Sequence, residues 1–326
     1  MNPDIPFSFG SIPSPKDYRD IGIAQAFGEP DKLPEYFYND VDHLPVWHQH
    51  KIGSCIGHAF AKFKQELDYQ DTGEVKELSP RYLYAMAKAQ DGYLDEGTYP
   101  RLVAKILKDK GCATEGFVPN DSLLEHETYV YNRDITKIPQ GDANMAKIAS
   151  YAFVDLTLDG LKNAIIKGKG ISLLVQLGEE WYTSKKGRRS WKEKDILPVR
   201  PPAQIISGHQ IFVYGYNGER FYFINSWGDT WGDKGVGYFD WSTYKNYITE
   251  GITIVDIPDK LLEEVHNLPE KFTHQFSKDM KYGDESEEVM QLQRFLKLKG
   301  VYNYSITGYY GDITRRAVFD LSLIHI

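Results

Sequence analysis

The sequence has few cysteines and no long apolar run, the features that would mark a disulfide-rich protein or a membrane protein. Its 326 residues include two cysteines, Cys55 and Cys112, which allow at most one disulfide and exclude a disulfide-stapled secreted fold. No segment approaches the ~18 apolar residues of a membrane-spanning helix. We therefore expect no membrane span, and we expect stability to come from burial of apolar side chains.

Basic segments are also scarce. The formal net charge is -8 and the pI is near 5.6, and the basic cluster Lys185–Arg189 is short enough to be a solvated loop. Nucleic acid and anionic lipid bind proteins mainly through clustered Lys and Arg, so neither is an expected partner. The N-terminus lacks the basic start and apolar run of a secretory signal peptide. These absences predict a soluble protein and leave its localisation open.

What is present indicates a folded chain with more than one part. Hydrophobic residues make up 41% and charged residues 26%, and the length favours a large domain with a small appendage, or two domains. Residues 1–34 are rich in proline and glycine, which predicts an extended lead-in lying over a domain surface. Residues 258–275 are polar and contain two prolines, and we expect them to be a linker.

The first half of the chain has helical periodicity. Apolar side chains spaced along one helix face predict a helix that begins at Cys55 and ends at Gly73. Two further helices are predicted, one starting at Pro80 and one running from Pro100 to Gly111, each with proline in its first turn. This half should therefore form a mostly helical layer.

The second half has short strands instead. Runs of β-branched and aromatic residues between glycines predict strands at 171–175, 210–214, 221–224 and 251–255. Asn217-Gly218 predicts a hairpin turn between the second and third of them. Such a hairpin places His209 just before one strand and Asn225 just after its partner, so we expect the two side chains to lie close together.

Cys55 and His209 are suited to acyl transfer. A helix N-terminus and a nearby imidazolium both stabilise the thiolate, which is the nucleophilic form of cysteine. The amide oxygen of Asn225 can orient the imidazole, and Trp227 can keep water from their hydrogen bond. The backbone N–H of Cys55 and the side-chain amide of Gln49 can supply the two donors that an oxyanion needs.

These residues stand in strings that resemble the papain-like cysteine peptidases. The resemblance covers residues 35–257 and rests on Gln49-x5-Cys55, Gly208-His209 and Asn225-Ser226-Trp227-Gly228-x2-Trp231-Gly232-x2-Gly235. It implies an α+β fold of two lobes, a helical lobe with the cysteine and a β-rich, barrel-like lobe with the histidine. It further implies an endopeptidase that cleaves peptide bonds through an acyl-enzyme intermediate. The implied roles are nucleophile for Cys55, general base and acid for His209, orienting residue for Asn225, and oxyanion donor for Gln49.

The resemblance also implies substrate contacts and shows departures from the family. Gly97 and Thr98 stand where the family has a paired-glycine strip, and with Gly208 they are the expected substrate-binding residues. Ile56 replaces the aromatic residue that usually follows the nucleophile. Ile52 replaces a half-cystine, so the customary disulfide of the first lobe is missing. The lead-in is shorter than the family's usual inhibitory propeptide, which leaves control of activity unexplained.

Other interpretations compete with this one. Cys112 has no partner group in its sequence vicinity and is expected to be a core thiol. The histidines near Cys55 match no common zinc spacing, so neither a metal nor another cofactor is expected; they are His43, His48, His50 and His58. The alternative from a different functional class is a non-catalytic wall-binding protein with a vestigial cleft.

The C-terminal part has its own resemblance. The strings Val289-x2-Leu292-Gln293-x2-Leu296 and Thr307-Gly308-Tyr309-Tyr310-Gly311 are similar to the small three-helix peptidoglycan-binding module of bacterial wall hydrolases, over residues 276–321. This implies peptidoglycan as a partner beside a protein or peptide substrate, association with the cell wall or cell exterior, and a bacterial or phage source. It also raises the alternative of a thiol peptidoglycan endopeptidase or amidase. We expect the module to be truncated and residues 322–326 to be a non-native tail.

Overall fold

The computed structural model describes residues 10–17, 20–23, 32–121, 123–130, 135, 140–183, 198–256, 274–302, 304 and 306–324. The chain divides into two compact units, Met1–Asp259 and Lys260–Ile326. Within the described residues, no helix combines the length and the apolar character needed to cross a membrane. The predicted linker lies almost entirely outside the described residues, as do the basic cluster Lys185–Arg189 and the last two residues of the predicted tail.

Helices make up much of the first unit, and the three predicted ones are confirmed. The described helices are α1 (Cys55–Thr72), α2 (Pro80–Lys88), α3 (Pro100–Asp109), α4 (His126–Val130), α5 (Gln140–Asn144), α6 (Leu158–Gly168), α7 (Glu180–Thr183) and α8 (Trp241–Tyr244), with a 3₁₀ turn at Lys245–Tyr247. The start of α2 follows from its sequence, since the Ser79 side chain accepts a 3.1 Å hydrogen bond from the N–H of Tyr82 and Pro80 opens the first turn. Gly73 ends α1 with φ at 73°, a conformation that glycine adopts without strain.

An antiparallel sheet forms the rest of the first unit. Its strands are β1 (Tyr36–Tyr38), β2 (Ile148–Phe153), β3 (Ile171–Leu177), β4 (Ser207–Asn217), β5 (Arg220–Ile224), β6 (Val236–Asp240) and β7 (Ile248–Asp256). They pair in the order β2-β7-β3-β4-β5-β6, and β1 pairs with β4. The predicted hairpin joins β4 to β5, with Gly218 at a φ of 59°.

The sheet separates two apolar clusters. Along β4, Phe212 and Tyr214 pack into the cluster of the helices, while Ile211 and Val213 pack into the cluster on the opposite face. This alternation is the two-residue period of a strand, and both faces are apolar because both are covered. The ring of Phe63 from α1 stacks on Phe212 with centroids 5.1 Å apart. The helix that begins at Cys55 is thereby fixed against the strand that contains His209.

The predicted strand positions are correct but their boundaries are not: strands expected at 210–214 and 251–255 span Ser207–Asn217 and Ile248–Asp256. The strand β4 begins at Ser207, so Gly208 and His209 lie inside it, opposite Gln176 and Val175 of β3. The three residues that open the strand are polar or lack a side chain, and so they give no apolar alternation for a sequence pattern to detect. His209 is therefore positioned more firmly than the sequence predicted, because a residue inside a paired strand is held more firmly than one in a loop.

The second unit contains two described helices, α9 (Glu287–Leu298) and α10 (Asp312–Ile324). The Ser286 side chain caps α9 by accepting a 3.2 Å hydrogen bond from the N–H of Val289. The fully buried amide of Gln293 accepts from the N–H groups of Thr307 and Gly308 and donates to the carbonyl of Tyr309. The loop between the two helices is thus fixed by one buried polar side chain.

Candidate active site

The thiol of Cys55 lies at the start of the long helix α1. Cys55 is the first residue of that helix, and its side chain is fully buried. The first turn of any helix has backbone N–H groups without intrahelical partners, and their partial positive charge favours an anion. The local structure therefore places the sulfur where a thiolate would be stabilised.

The imidazole of His209 is held by Asn225, which follows β5. The ring nitrogen Nε2 lies 2.7 Å from Oδ1 of Asn225. The same oxygen accepts a hydrogen bond from the N–H of Ser226 at 2.8 Å, which fixes the orientation of the amide group. Because Oδ1 is an acceptor, Nε2 is the protonated nitrogen of the neutral ring, and Nδ1 is the nitrogen that can take up a proton.

The segment that contains Gln49 pairs with the segment that follows Asn225. The N–H of Gln49 donates to the carbonyl of Ser226 at 2.8 Å, and the N–H of Gly228 donates to the carbonyl of Trp47 at 3.0 Å. The Gln49 amide accepts from the Ser226 hydroxyl at 2.5 Å and donates to the carbonyl of Ile52 at 2.8 Å. An amide nitrogen has two hydrogens, so this arrangement still permits a second donation.

Aromatic rings enclose the imidazole. The ring of Trp227 lies 4.8 Å from that of His209, centroid to centroid, and Trp181 meets His209 edge-on at 5.9 Å. The Trp181 indole is fixed by hydrogen bonds, since its N–H donates to the hydroxyl of Tyr244 and that hydroxyl donates to the carbonyl of Gln176. The sequence indicated Trp227 but not Trp181, because nothing near Trp181 in the sequence links it to the histidine.

Burial holds both reacting groups in their neutral forms. It raises the pKa of Cys55 to about 11, although backbone hydrogen bonds from Gln210 and Gly10 act in the opposite direction. It lowers the pKa of His209 to about 4, against the hydrogen bond with Asn225. Phe212, on the same strand as His209, stacks on Phe63 of α1, so the helix that presents the thiol lies against the strand of the histidine. Each shift reflects exclusion of water from the site.

Part of the N-terminal lead-in causes this exclusion. Residues 10–14, which we call the cleft segment, pass beside the thiol in an extended conformation. The N–H of Thr98 donates to the carbonyl of Gly10 at 2.9 Å, and the N–H of Ile12 donates to the carbonyl of Thr98 at 3.1 Å. A Cβ atom on Gly97 would lie 2.8 Å from the carbonyl carbon of Gly10, and one on Gly208 would lie 2.3 Å from the carbonyl oxygen of residue 11. The three expected substrate-binding residues therefore all contact one extended stretch of backbone.

Side chains tether the cleft segment along its length. The hydroxyl of Ser11 donates to the Gln210 side chain at 2.7 Å. The N–H and the hydroxyl of Ser14 both donate to the carboxylate of Glu250, each at 2.7 Å. Further along, Arg101 forms an ion pair with Asp20 at 2.5 Å. The lead-in was expected to lie over a domain surface, and this part of it passes beside the thiol.

The buried His58 and the second cysteine have contacts of their own. The ring of His58 contacts the carbonyl of Ser54 and the side chain of Asn120, and burial lowers its pKa to about 3. Cys112 is fully buried in the helical cluster. Across the part of the chain that the structure describes, no group of three or more His, Cys, Asp or Glu side chains is arranged to hold a metal ion.

Comparisons with known proteins agree with this arrangement. The family model described as papain family cysteine protease matches residues 39–254, which is more than half of the chain. Among solved structures, xylellain, a cysteine protease from Xylella fastidiosa, is similar at 22% identity with a TM-score of 0.62, covering 77% of this chain and 96% of its own. The digestive procathepsin L 3 of Tenebrio molitor larval midgut is similar at 15% identity and a TM-score of 0.53, covering 69% of this chain and 70% of its own.

A plant enzyme extends the same similarity. The Carica candamarcensis cysteine protease CMS1MS2, solved in complex with E-64, is 15% identical with a TM-score of 0.54, covering 69% of this chain and 99% of its own. A search of curated protein sequences finds no match. The predicted papain-like α+β fold is thus confirmed, and the family model carries the assignment beyond the fold. The chain belongs to the papain family of cysteine proteases and is a peptide hydrolase.

Proposed function

We propose that the chain is a cysteine endopeptidase in which Cys55, His209, Asn225 and Gln49 carry out the chemistry. The observation that most supports this is the 2.7 Å contact between His209 and Asn225, on a strand that packs against the helix beginning at Cys55. That combination supplies a nucleophile, a base next to it, and a group that fixes the tautomer of the base.

The mechanism follows from the positions of these groups. Nδ1 of His209 takes the thiol proton, and the thiolate of Cys55 attacks the carbonyl carbon of the scissile peptide bond. The oxyanion that forms accepts hydrogen bonds from the N–H of Cys55 and the side-chain amide of Gln49. His209 then gives the proton to the leaving amine, and water attacks the resulting thioester with His209 as base. This second step releases the acid product and restores the thiol.

An extended peptide is the substrate that the cleft favours. Thr98 binds backbone through both its N–H and its carbonyl, and Gly97 and Gly208 leave room for backbone to approach closely. The cleft segment occupies these positions with an internal stretch of polypeptide, since Gly10 at the thiol is not a chain end. This supports cleavage within a chain rather than at its terminus.

The test compares the effects on activity of substituting each of the two cysteines. Cys55→Ser should abolish cleavage of casein and labelling by an epoxide probe, whereas Cys112→Ser should keep both. The substitution removes the thiolate but preserves the shape of the side chain, and nucleophile loss commonly costs on the order of 10⁶-fold in rate. Casein cleavage that survives Cys55→Ser would show that another group is the nucleophile.

We also propose that residues 35–257 form the peptidase domain and that residues 276–321 form a wall-binding module joined to it by residues 258–275. The support is the sequence resemblance of the module, together with a second compact unit that has its own apolar cluster of Leu296, Tyr302 and Ala317. On this basis the peptidase is directed to a bacterial cell wall, and the chain has a bacterial or phage source. Nucleic acid is not a proposed partner.

Cleavage of the wall itself is the competing activity. If stem peptides of peptidoglycan are the substrate, the purified protein should release soluble fragments from sacculi at a rate comparable to its cleavage of casein. If proteins are the substrate, casein is cleaved and sacculi are bound without release of fragments. The backbone contacts of Thr98 suit an extended protein chain, which favours the second outcome.

A further inference from the structure

The loop between α2 and α3 is folded around one buried amino group. Nζ of Lys88, the last residue of α2, donates to the carbonyl oxygens of Tyr93 at 2.7 Å, Asp95 at 2.8 Å and Gly97 at 3.1 Å. The carboxylate of Asp91 lies 3.1 Å from Nζ, and the side chains of both members of this ion pair are buried. An ammonium group has three donors, so Lys88 directs all of them to the backbone of a single loop.

Two further bonds attach the end of this loop to the rest of the lobe. The N–H of Gly97 donates to the hydroxyl of Tyr84 at 2.9 Å. The carboxylate of Glu96 accepts from the N–H of Gly53 at 2.7 Å. Gly53 lies two residues before Cys55, so the Glu96 bond connects the loop directly to the turn that presents the thiol. Both cysteines of the chain are free, so these attachments are non-covalent.

The loop has little apolar packing to hold it in place. Leu94 is 98% exposed and Tyr93 is 37% exposed, so burial of side chains contributes little to its conformation. Three carbonyl oxygens that converge on one buried point repel one another unless a cation lies between them. Lys88 is therefore the group that keeps the loop in its present shape.

The end of this loop is the strip that binds backbone. Thr98 directly follows the loop, and its N–H and carbonyl pair with Gly10 and Ile12 of the cleft segment. Such pairing requires both groups of Thr98 to be aligned with the extended chain at once. A shift of the carbonyl of Gly97 away from Lys88 would turn the peptide plane that contains the N–H of Thr98.

We propose that Lys88 is a positioning residue for peptide substrates. It holds the loop so that Thr98 stays aligned with an extended backbone, and Glu96 keeps that strip in register with Cys55. This inference rests on the proposed peptidase function, which supplies the substrate. Lys88 touches neither the substrate nor the thiol, so its loss weakens backbone recognition and acts on Cys55 only by loosening the cleft segment.

The test compares two thiol reagents on the full-length chain carrying Lys88→Met. Iodoacetamide needs no backbone pairing, whereas a dipeptidyl epoxide does. In the variant the cleft segment is held less firmly, so iodoacetamide should label Cys55 roughly tenfold faster, as expected for the loss of about one hydrogen bond. The rate ratio of dipeptidyl epoxide to iodoacetamide should fall by roughly the same factor, because the strip no longer aligns the peptide.

Matched variants separate positioning from general damage. Lys105→Met removes an exposed lysine from the neighbouring helix α3 and should change neither rate. Lys88→Arg restores a cation with several donors and should recover part of the ratio. Labelling of Cys112, which is fully buried, reports unfolding of the lobe and should stay slow in every variant.

An unchanged reagent ratio in Lys88→Met, with Cys112 still protected, would overturn the proposal. If Lys88→Met exposes Cys112 as well, Glu96→Met decides the matter, since that half-buried side chain then loses the oxygens that accept from Gly53 while its volume is kept. A lower ratio in Glu96→Met supports the proposal, and an unchanged ratio overturns it. Failure of the proposed function would appear separately, as casein cleavage that persists in Cys55→Ser.

Discussion

At the scale of single residues, the Asn225 side chain determines which nitrogen of His209 bears the proton. Its amide is fixed by the Ser226 N–H, so it presents only an oxygen to the ring. Without that acceptor, the imidazole could place its proton on Nδ1 and face the thiol with the wrong nitrogen. Asn225 thus affects the rate of the chemical step more than the binding of the substrate.

The first prediction concerns this residue. Asn225→Ala should lower kcat for a peptide substrate by roughly 10²-fold, the lower end of what a positioned base contributes, with KM within a factor of about two. Asn246→Ala, at an exposed position of the 3₁₀ turn, serves as control and should leave both constants unchanged. If Asn225→Ala kept the wild-type kcat, Asn225 would not be the residue that orients the imidazole.

The residues proposed for the chemistry could be recognised because each stands in a short local string. Gln49 and Cys55 are six residues apart, and Asn225 begins a distinctive run of tryptophans and glycines. Trp181 and Lys88 could not be recognised in this way. Their roles depend on partners that the fold brings to them, a histidine on strand β4 in one case and a set of backbone carbonyls in the other.

At the scale of elements, the cleft segment decides whether the site is open. Its carbonyl and N–H groups use the strip at Thr98, and its backbone beside Cys55 excludes water. Helices α1 to α3 were predictable because caps, prolines and apolar spacing agree with one another there. The course of the lead-in was not, because an extended proline-rich segment has no periodicity and its path is set by side chains such as Gln210 and Glu250.

The second prediction is that opening the cleft segment activates the thiol. Deletion of residues 2–17 should raise kcat/KM for casein and the iodoacetamide labelling rate of Cys55 by roughly tenfold or more. Burial raises the pKa of Cys55 to about 11, so exposure should also move the alkaline rise of its labelling rate to lower pH. The measurement is the labelling rate between pH 6 and 11.

Single substitutions in the full chain also test whether the cleft segment closes the site, with a smaller change to the protein. A Cβ on Gly10 would lie 1.7 Å from the carbonyl oxygen of Gly53, so Gly10→Ala should displace the segment and speed labelling. Lys16→Ala, at an exposed position just beyond the segment, should not. Equal labelling rates in the wild type, the deletion and Gly10→Ala would mean that the segment does not close the site.

The third prediction concerns the attachment of α1 to β7. Lys64 is buried and forms ion pairs with Asp68 on its own helix and with Asp256 at the end of β7, the latter at 2.7 Å. Lys64→Met should lower the free energy of unfolding of the first unit by about 3 kcal/mol, because it leaves buried carboxylates without their cation. All six tryptophans lie in the first unit, so their fluorescence follows its unfolding alone.

The pKa of Asp68 determines how the loss of stability in Lys64→Met changes with pH. Burial raises the pKa of Asp68, and Lys64 opposes that effect. Without the lysine, the folded-state pKa of Asp68 lies further above its unfolded value, so the folded state is favoured at low pH and loses stability as the pH rises through that pKa. The loss in free energy of unfolding caused by Lys64→Met should therefore be larger at pH 8 than at pH 5. Lys108→Met, on the exposed face of α3, should show no deficit at either pH.

At the scale of the whole molecule, the two units have separate cores and separate proposed tasks. The sheet and helices that position Cys55 and His209 lie entirely in the first unit, and the cluster around Leu296 lies in the second. A unit as small as the second one buries little apolar surface, so single polar contacts weigh heavily in its stability. Gln293 is such a contact, because its amide pairs with the backbone of Thr307, Gly308 and Tyr309.

The fourth prediction uses this separation to test targeting. The full chain should sediment with purified peptidoglycan sacculi, whereas a chain ending at Asp256 should stay in solution and keep kcat/KM for casein within a factor of about two. Gln293→Leu in the full chain should behave like the shortened chain, because each buried backbone group left unpaired costs about 1–3 kcal/mol. Gln291→Leu, two residues earlier on the same helix and outside this network, is the matched control and should still sediment. If both chains sedimented, wall binding would belong to the first unit. If neither sedimented, the proposal of wall binding would fail.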